Sequence, residues 1–432
     1  MIDWPSDITP TEEYEAVACH VLDGDGHIFV TGRAGTGKST LLLALREILG
    51  DRAAVLAPTG LAAVNVGGQT IHSFFGFPPR YIGPEDIRRS RNGRIMRNLD
   101  YLIIDEVSMV RSDLMWAIDQ SLRVNRGRAR EPFGGMRLIL FGDLYQLPPV
   151  VRGEEAAMLE DAHDGPYFFS ISALTEGVGT HYIELQQVFR QTDEQLVDIL
   201  SAIRSGMAEE AEIAVLNERV SPIRTLSEGE TFVILTPTNA AANRINRAYL
   251  DALPGQEHTF EAGIVGDFNT NSQPTDAELS LKVGAKIILL RNDPDRRWVN
   301  GTVAVVSRIE SERVWVEING REHEVEQVSW ENRRYAYDQA QEKIVESIAG
   351  TFKQFPLRLA WALTIHKSQG LTLDNVYIDF GRGAFAHGQA YVALSRCRTL
   401  DGLALARPLR HSDILFDPRA ASYQSIFPSL TG

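Results

Sequence analysis

Gly32-Arg-Ala34-Gly35-Thr36-Gly37-Lys38-Ser39-Thr40 lies between the apolar run Ile28-Phe-Val and the leucine-rich run Leu41-Leu-Leu-Ala-Leu. Glycines at this spacing let successive backbone N–H groups turn inward around an anion. Lys38 adds a mobile charge suited to β- and γ-phosphates, and Ser39 offers a hydroxyl suited to Mg²⁺. A nucleoside triphosphate is therefore expected here, held by Gly32 and by residues 34–40. An ordinary glycine turn would not be bracketed by strand and helix signals in this way.

The segment Tyr101-Leu-Ile-Ile-Asp105-Glu106 ends an apolar run on two carboxylates. Beside a phosphate loop, Asp105 suits a second contact to the metal, and Glu106 suits orienting and deprotonating an attacking water. Gly142-Asp143-Leu-Tyr-Gln146-Leu-Pro-Pro149 follows another apolar run, and the Gln146 amide suits a sensor of water and γ-phosphate. Two arginines are candidates for stabilising transition-state charge, a role worth about 10³ to 10⁵ in rate. Arg190 closes Leu185-Gln-Gln-Val-Phe189, and Arg396 closes Tyr391-Val-Ala-Leu-Ser395. Taken alone, either arginine reads first as a solvated surface charge, and it is the placement outside the phosphate-loop lobe that suits the catalytic role.

These residues need a scaffold that gathers them. β-rich runs at 27–30, 53–56, 101–104 and 136–141 alternate with helical stretches, the pattern of an α/β parallel sheet whose carboxyl ends collect ligands on one edge. Gly32, Thr59, Asp105 and Asp143 are expected to converge there. A second α/β unit is signalled by runs at 232–235, 357–361, 375–379 and 402–406. Its helices are expected over 240–250, near Lys367 and over 389–394. Between these parts lie β-rich runs at 286–290, 302–306, 314–318 and 324–328, with a hairpin turn at Asn319-Gly320. Residues 284–353 read as a small all-β module inserted in the second unit, its tail 335–349 helical or loose. Leu56-Ala-Pro58-Thr59-Gly60 echoes Leu235-Thr-Pro-Thr238-Asn239. Each junction suits either one phosphate at a helix start or plain helix capping.

At 432 residues, 44% hydrophobic and 23% charged, the chain has the composition of an ordinary globular protein of about three domains. No apolar run reaches the roughly 18 residues of a membrane span. The first residues show no signal-peptide pattern, so a cytoplasmic protein is expected. Cys19 and Cys397 lack metal-ligand spacing, and both are expected to be buried or incidental thiols. The net charge of -14 argues against a broad basic face but allows a narrow groove using backbone amides and a few cations.

The ordered motifs GRAGTGKST, APTGLAAVNVGGQTIHSFF, LIIDEVSM, FGDLYQLPPV, ELQQVFRQ, ILTPTNAAANRIN, LTIHKSQGLTLDNV and YVALSRCR resemble those of superfamily-one helicases. The closest resemblance is to the petite-integration-frequency group of DNA helicases, with RecD-type subunits as cousins. Glu131-Pro-Phe-Gly-Gly135 is similar to a stretch that marks the group. The resemblance covers nearly the whole chain. It implies two RecA-like parallel-sheet lobes: residues 1–175, with a small wedge near 72–85, and residues 176–283 with 354–432. A barrel-like β module over 284–353 would complete them.

The resemblance further implies an ATP- and Mg²⁺-dependent motor moving 5′ to 3′ on single-stranded DNA. Lys38, Ser39, Asp105, Glu106, Gln146, Arg190, Gly370 and Arg396 match its nucleotide-site positions. Pro58, Thr59, Gly60, Asn65, His72, Thr238, Asn239, His366 and Lys367 match positions that face DNA or couple it to ATP. Phe74, Phe75 and Phe77 suit either base stacking or packing, and Phe74 is carried as a DNA contact. Expected partners are single strands and single-strand/duplex junctions, with G-quadruplexes or RNA–DNA hybrids as further candidates. The chain is expected to be a nucleoid-associated bacterial-type monomer. Residues 11–16 hold no glutamine where many relatives read adenine, which leaves strict ATP preference open. Two other functions stay open: an ATP-regulated clamp on single strands without motor action, and a helicase subunit of a nuclease complex.

Overall fold

The computed structural model describes residues 2–431 apart from 7, 152, 154, 190, 192, 222–231 and 340–342. The first α/β lobe is built on six strands: β1 (His27–Gly32), β2 (Ala53–Ala57), β3 (Gln69–Thr70), β4 (Tyr101–Ile104), β5 (Arg137–Phe141) and β6 (Thr180–Leu185). They lie in the order β3-β2-β4-β5-β1-β6, and every pairing is parallel. The central strands are buried on both sides, as a sheet covered by helices on each face requires. Alternate residues feed two cores. Phe29, Leu56, Leu102 and Leu138 point to one, and Ile28, Val55, Ile103 and Ile139 to the other.

The second lobe carries β7 (Val233–Thr236) and, later in the chain, β18 (Ala362–Thr364), β19 (Val376–Ile378) and β20 (Leu403–Leu405), a parallel sheet in the order β18-β7-β19-β20. Between β7 and β18 come β8 (His258–Glu261), β9 (Gly263–Gly266), β10 (Glu278–Leu281), β11 (Lys286–Leu289), β12 (Val303–Glu310), β13 (Arg313–Ile318), β14 (Arg321–Val325), β15 (Val328–Asp338), β16 (Lys343–Gln354) and β17 (Leu357–Leu359). These pair antiparallel in three small sheets. Asn319 and Gly320 both take positive φ, 50° and 73°, in the tight turn that joins β13 to β14.

Several sequence expectations are corrected. The β-rich region spans β8 to β17, wider than 284–353, because β8 to β10 pair only with antiparallel partners. The expected strand 357–361 is divided: Leu357–Leu359 pairs with β11, and the lobe strand starts at Ala362. The boundary at 175 falls too early, since β6 is hydrogen-bonded to β1 over its full length. The C-terminal stretch also returns to the first lobe, where Tyr423 and Phe427 join the core and the Leu430 N–H donates to the Tyr182 carbonyl at 2.8 Å. Residues 366–370 form turns rather than a helix. Of the two free cysteines, expected as buried or incidental thiols, Cys397 is buried and Cys19 is exposed, which is in keeping with that expectation.

Of the tail at 335–349, residues 335–338 and 343–349 are strand in β15 and β16, which reach onto the first lobe, and 340–342 lie outside the described residues. Tyr335 and Ile344 enter that lobe's core. The Val55 N–H donates to Tyr335 Oη at 2.8 Å, Arg46 pairs with Glu346 at 2.7 Å, and the Arg94 guanidinium sits 4.0 Å over the Tyr337 ring.

Candidate nucleotide and strand site

β1 runs into the phosphate loop, where Gly32, Gly35 and Gly37 take φ of 150°, 87° and 80°. A side chain at Gly37 is excluded twice, by its left-handed backbone and by the Tyr14 hydroxyl, which a Cβ would meet at 2.1 Å. Tyr14 Oη donates to the Gly37 carbonyl at 2.9 Å, so in the stretch without a glutamine an aromatic residue braces the loop instead. Lys38 opens the helix Lys38–Leu49 and donates from Nζ to the Gly32 and Arg33 carbonyls at 2.6 and 3.0 Å. Ser39 and Thr40 are exposed at the lip.

Asp105 and Glu106 follow β4, and the Asp105 N–H extends the sheet by donating to the Leu56 carbonyl at 2.9 Å. Glu106 takes φ 49°, a left-handed conformation uncommon for a residue with a side chain and one that concentrates at functional sites. Burial raises the pKa of both carboxyls. Asp105 adds to the rise at Glu106, while Lys38 opposes it at both and Arg396 opposes it at Glu106. A base held above the ordinary carboxylate range suits proton transfer near neutral pH.

Asp143 is buried and anchors the next loop. Burial alone would raise its pKa, but Arg204, Lys38 and the Gln146 amide hold it below the ordinary value. Arg204 reaches it at 3.1 Å, binds Glu184 at 2.7 Å and lies 4.2 Å over the Tyr145 ring. Gln146 Nε2 donates to Asp143 Oδ2 at 3.0 Å, which turns Gln146 Oε1 toward the second lobe. There Gln369 Nε2 donates to Gln146 Oε1 at 3.2 Å and to Glu106 Oε2 at 3.1 Å. One amide thus ties the candidate base and the candidate sensor to the turn that carries Lys367.

Other contacts close the same seam. The Ala34 N–H donates to Tyr391 Oη at 3.1 Å, Gln191 Nε2 to the Ser395 carbonyl at 3.0 Å, and His387 Nε2 to the Leu144 carbonyl at 2.9 Å. At Gly388 a Cβ would lie 2.1 Å from the Gln146 carbonyl, so only glycine allows this approach. The seam encloses a cavity of about 390 Å³. Residues 34–40, Glu106 and Gln146 line it from the first lobe, and Gln369, Gly370 and Arg396 from the second. Arg396 is buried, and its guanidinium donates to the Val392 carbonyl at 2.8 Å and to Ser395 Oγ at 2.8 Å. Arg190 lies outside the described residues. Its neighbour Phe189 is 57% exposed beside the phosphate loop, lines the cavity, and donates its N–H to the Gly35 carbonyl at 2.9 Å.

The residues expected to face DNA divide. Asn65 and Lys367 line a second cavity, of about 440 Å³, that also reaches Ser39 and Gln369. Asn239 and Lys367 line a third, of about 280 Å³, along the helix Asn239–Ala252. His366 is exposed beside Lys367. Pro58 is half-buried before Thr59. Thr59 Oγ1 and Thr238 Oγ1 each accept from a backbone N–H three residues on, at 3.3 Å, so both act as helix caps. Gly60 is covered by the turn Thr270–Ser272, and a Cβ there would lie 1.8 Å from Ser272 Oγ.

His72 is half-buried near Arg111 and Asp113, away from these cavities, and burial lowers its pKa. Phe74 is not a strand contact in this structure. It is fully buried, edge-on to Phe75 at 5.1 Å and to Tyr335 at 5.9 Å, and Phe75 and Phe77 share that core. Sequence reasoning missed Gln369, Arg204, Tyr391 and Gly388. Gln369 sits inside LTIHKSQG, but nothing local shows that its amide crosses the seam.

Among the described residues no cluster of three or more His, Cys, Asp or Glu side chains forms a metal site. A serine hydroxyl and one or two carboxylates beside a phosphate loop fit Mg²⁺, which prefers hard oxygen donors and takes much of its shell from phosphates and water. Among the described residues no helix is long and apolar enough to cross a membrane.

Residues 11–212 match the model of the PIF1-like helicase family. The chain is 34% identical over 429 residues to an ATP-dependent DNA helicase Pif1 of Bdellovibrio bacteriovorus, covering 96% of this chain and 92% of that protein. It is 35% identical to the human ATP-dependent DNA helicase PIF1 over 95% of this chain but 61% of that protein, so it spans less than two thirds of the human relative. Among solved structures, Bacteroides Pif1 in complex with ADP-AlF4 superposes with a TM-score of 0.89 at 36% identity over 97% of both chains. Bacteroides Pif1 bound to single-stranded DNA, at the same identity and coverage, superposes with a TM-score of 0.68.

Proposed function

The chain belongs to the PIF1-like helicase family and is an ATP-dependent DNA helicase, and from this premise we propose how its seam turns hydrolysis into movement. One observation carries the reading. The phosphate loop, Glu106 and Gln146 share a single cavity with Gln369, Gly370 and Arg396 of the other lobe. A triphosphate bound there touches both lobes, and its cleavage changes how they are held together.

Lys38 and the loop amides cradle the phosphates. Ser39 and Asp105 would hold Mg²⁺, which supplies charge compensation on the transferring phosphoryl group. Glu106 takes the proton of the attacking water while Gln146 keeps that water in line. Arg396, released from its own lobe's carbonyls as the seam tightens, stabilises the charge that develops. Arg190 serves as a second cation. Gln369 couples the two halves, since it binds Glu106 and Gln146 and also lines the cavity that holds Asn65 and Lys367.

The strand lies across the Asn65 and Asn239 cavities, whose walls supply the grips on successive phosphates, with Lys367 common to both. Alternation of those grips moves the chain 5′ to 3′. Single-strand/duplex junctions are its substrates, and G-quadruplexes and RNA–DNA hybrids are structures the same motor opens. Two ATPase lobes and the β-rich insertion act as one monomer on chromosomal DNA in the cytoplasm. Tyr14 braces the loop through the Gly37 carbonyl, Phe189 lines the cavity, and residues 11–16 hold no glutamine, which supports broad use of nucleoside triphosphates.

Purified chain is tested on duplexes bearing either a 5′ or a 3′ single-stranded tail, with Lys38→Ala as control. Unwinding only from the 5′ tail, abolished in K38A, is expected. Strand-stimulated hydrolysis with no separation of either duplex would instead indicate a clamp.

A further inference from the structure

Arg358 sits on β17, opposite Ile288 of β11, and is about nine-tenths buried. Buried arginines normally face a carboxylate, because an enclosed guanidinium without a counter-charge is costly. Here Nη2 donates to the Pro274 carbonyl at 2.6 Å, and Nε is enclosed with no hydrogen-bond partner. Among the described residues no carboxylate forms an ion pair with it. Burial pushes its pKa down, with Asp276 acting the other way.

The position of Arg358 gives this imbalance a use. The cavity along Asn239–Ala252 and the cavity that reaches Asn65 share Arg358 and Lys367 as common wall residues. The two cations are close enough that Arg358 helps burial to depress the pKa of Lys367. Two cations that repel each other at the joint of two cavities are completed by an anion. The anion must be small enough for the joint and belong to something that continues into both cavities.

We infer that Arg358 and Lys367 together clamp one backbone phosphate of the single strand where it crosses from the second lobe's Asn239 groove to the Asn65 groove of the first lobe. This assignment rests on the helicase reading and adds a residue that none of the helicase motifs contains. Arg358 supplies a fixed, permanently charged guanidinium on the shared wall, and Lys367 supplies a mobile point charge beside it. Asp276, exposed on the rim of the Asn239 cavity, competes with the phosphate for both.

The test is binding of a fluorescein-labelled oligothymidylate by anisotropy across a salt titration, with R358Q, R358K and D276N beside the unsubstituted chain. A phosphate contact on a single strand contributes about 0.7 to the slope of log K against log salt. R358Q is expected to bind about tenfold more weakly at low salt and to lose about 0.7 of slope, whereas R358K keeps the slope. D276N is expected to bind more tightly. A folded R358Q with an unchanged slope overturns the assignment even if its affinity falls, since packing damage alone releases no counterions. Should R358Q fail to fold, D276N decides: unchanged or weaker binding overturns the clamp. If the unsubstituted chain binds no strand, the helicase reading and this assignment fall together. A binding chain whose R358Q slope is unmoved removes only the assignment.

Discussion

Replacing Gln369 by alanine removes one amide that makes two bonds across the seam, to Glu106 at 3.1 Å and to Gln146 at 3.2 Å. Neither bond touches the phosphate loop, so nucleotide affinity should be nearly unchanged. What is lost is the orientation of the base and of the water-holding amide. A hydrogen bond to a charged group is worth about 1.5 to 3 kcal/mol, which corresponds to roughly 10- to 100-fold in the rate of the chemical step. The assay is single-turnover hydrolysis of ATP with saturating single-stranded DNA, set beside the dissociation constant of a non-hydrolysable analogue. Gln369→Glu adds a sharper test. A second negative charge beside Glu106 raises that carboxyl further and moves the rate profile to higher pH. Undiminished hydrolysis in Q369A, or a Q369E profile that does not move, would refute the coupling role.

The raised pKa of Glu106, caused first by burial and then by Asp105, predicts turnover that keeps climbing with pH above the ordinary carboxylate range; Glu106→Gln should bind nucleotide but show no such climb. Phe74→Ala should cost about 3 to 5 kcal/mol of stability in denaturant melts. Strand affinity of the folded protein should be unaffected, because the ring is fully buried; lost affinity with intact stability would restore it as a stacking residue. His27 has its pKa lowered from 6.5 to about 4, by burial and then by Arg137. Its Nδ1 accepts from the Leu138 N–H at 3.1 Å, a bond available only to the neutral ring. Because the folded value is depressed, this stability is fully present above 6.5 and is lost as pH falls toward 4. The loss is about 2 kcal/mol between pH 7 and pH 5, and melts of His27→Gln should show a correspondingly flatter dependence.

What the sequence made legible is what the backbone imposes locally. The phosphate loop could be read because its glycines are needed for positive φ, and Asp105-Glu106 because an apolar strand must end where its ligands gather. The Asn319-Gly320 turn was legible for the same reason. Long-range packing was not. Phe74 carries no local mark that separates a stacking ring from a core ring, and its environment is set by Tyr335, far along the chain. The 335–349 segment mixes charged and aromatic residues because one face of its hairpin meets solvent and the other meets the first lobe, so its pattern resembled a loose tail. The strand Thr180–Leu185 was missed since it is half-buried at the sheet edge. Gln369 and Gly388 gain their meaning only from the opposite lobe.

The central claim is that chemistry at the phosphate loop is completed by the other half of the molecule. Arg396→Ala alters only that half, and single-turnover hydrolysis measured beside nucleotide affinity tests it most directly. The account expects affinity to persist while the hydrolysis step slows by about 10³-fold or more. Hydrolysis at the unsubstituted rate, with DNA and nucleotide both bound, would contradict the claim for Arg396, the buried cation in the second lobe's wall on which stabilisation of the developing charge rests.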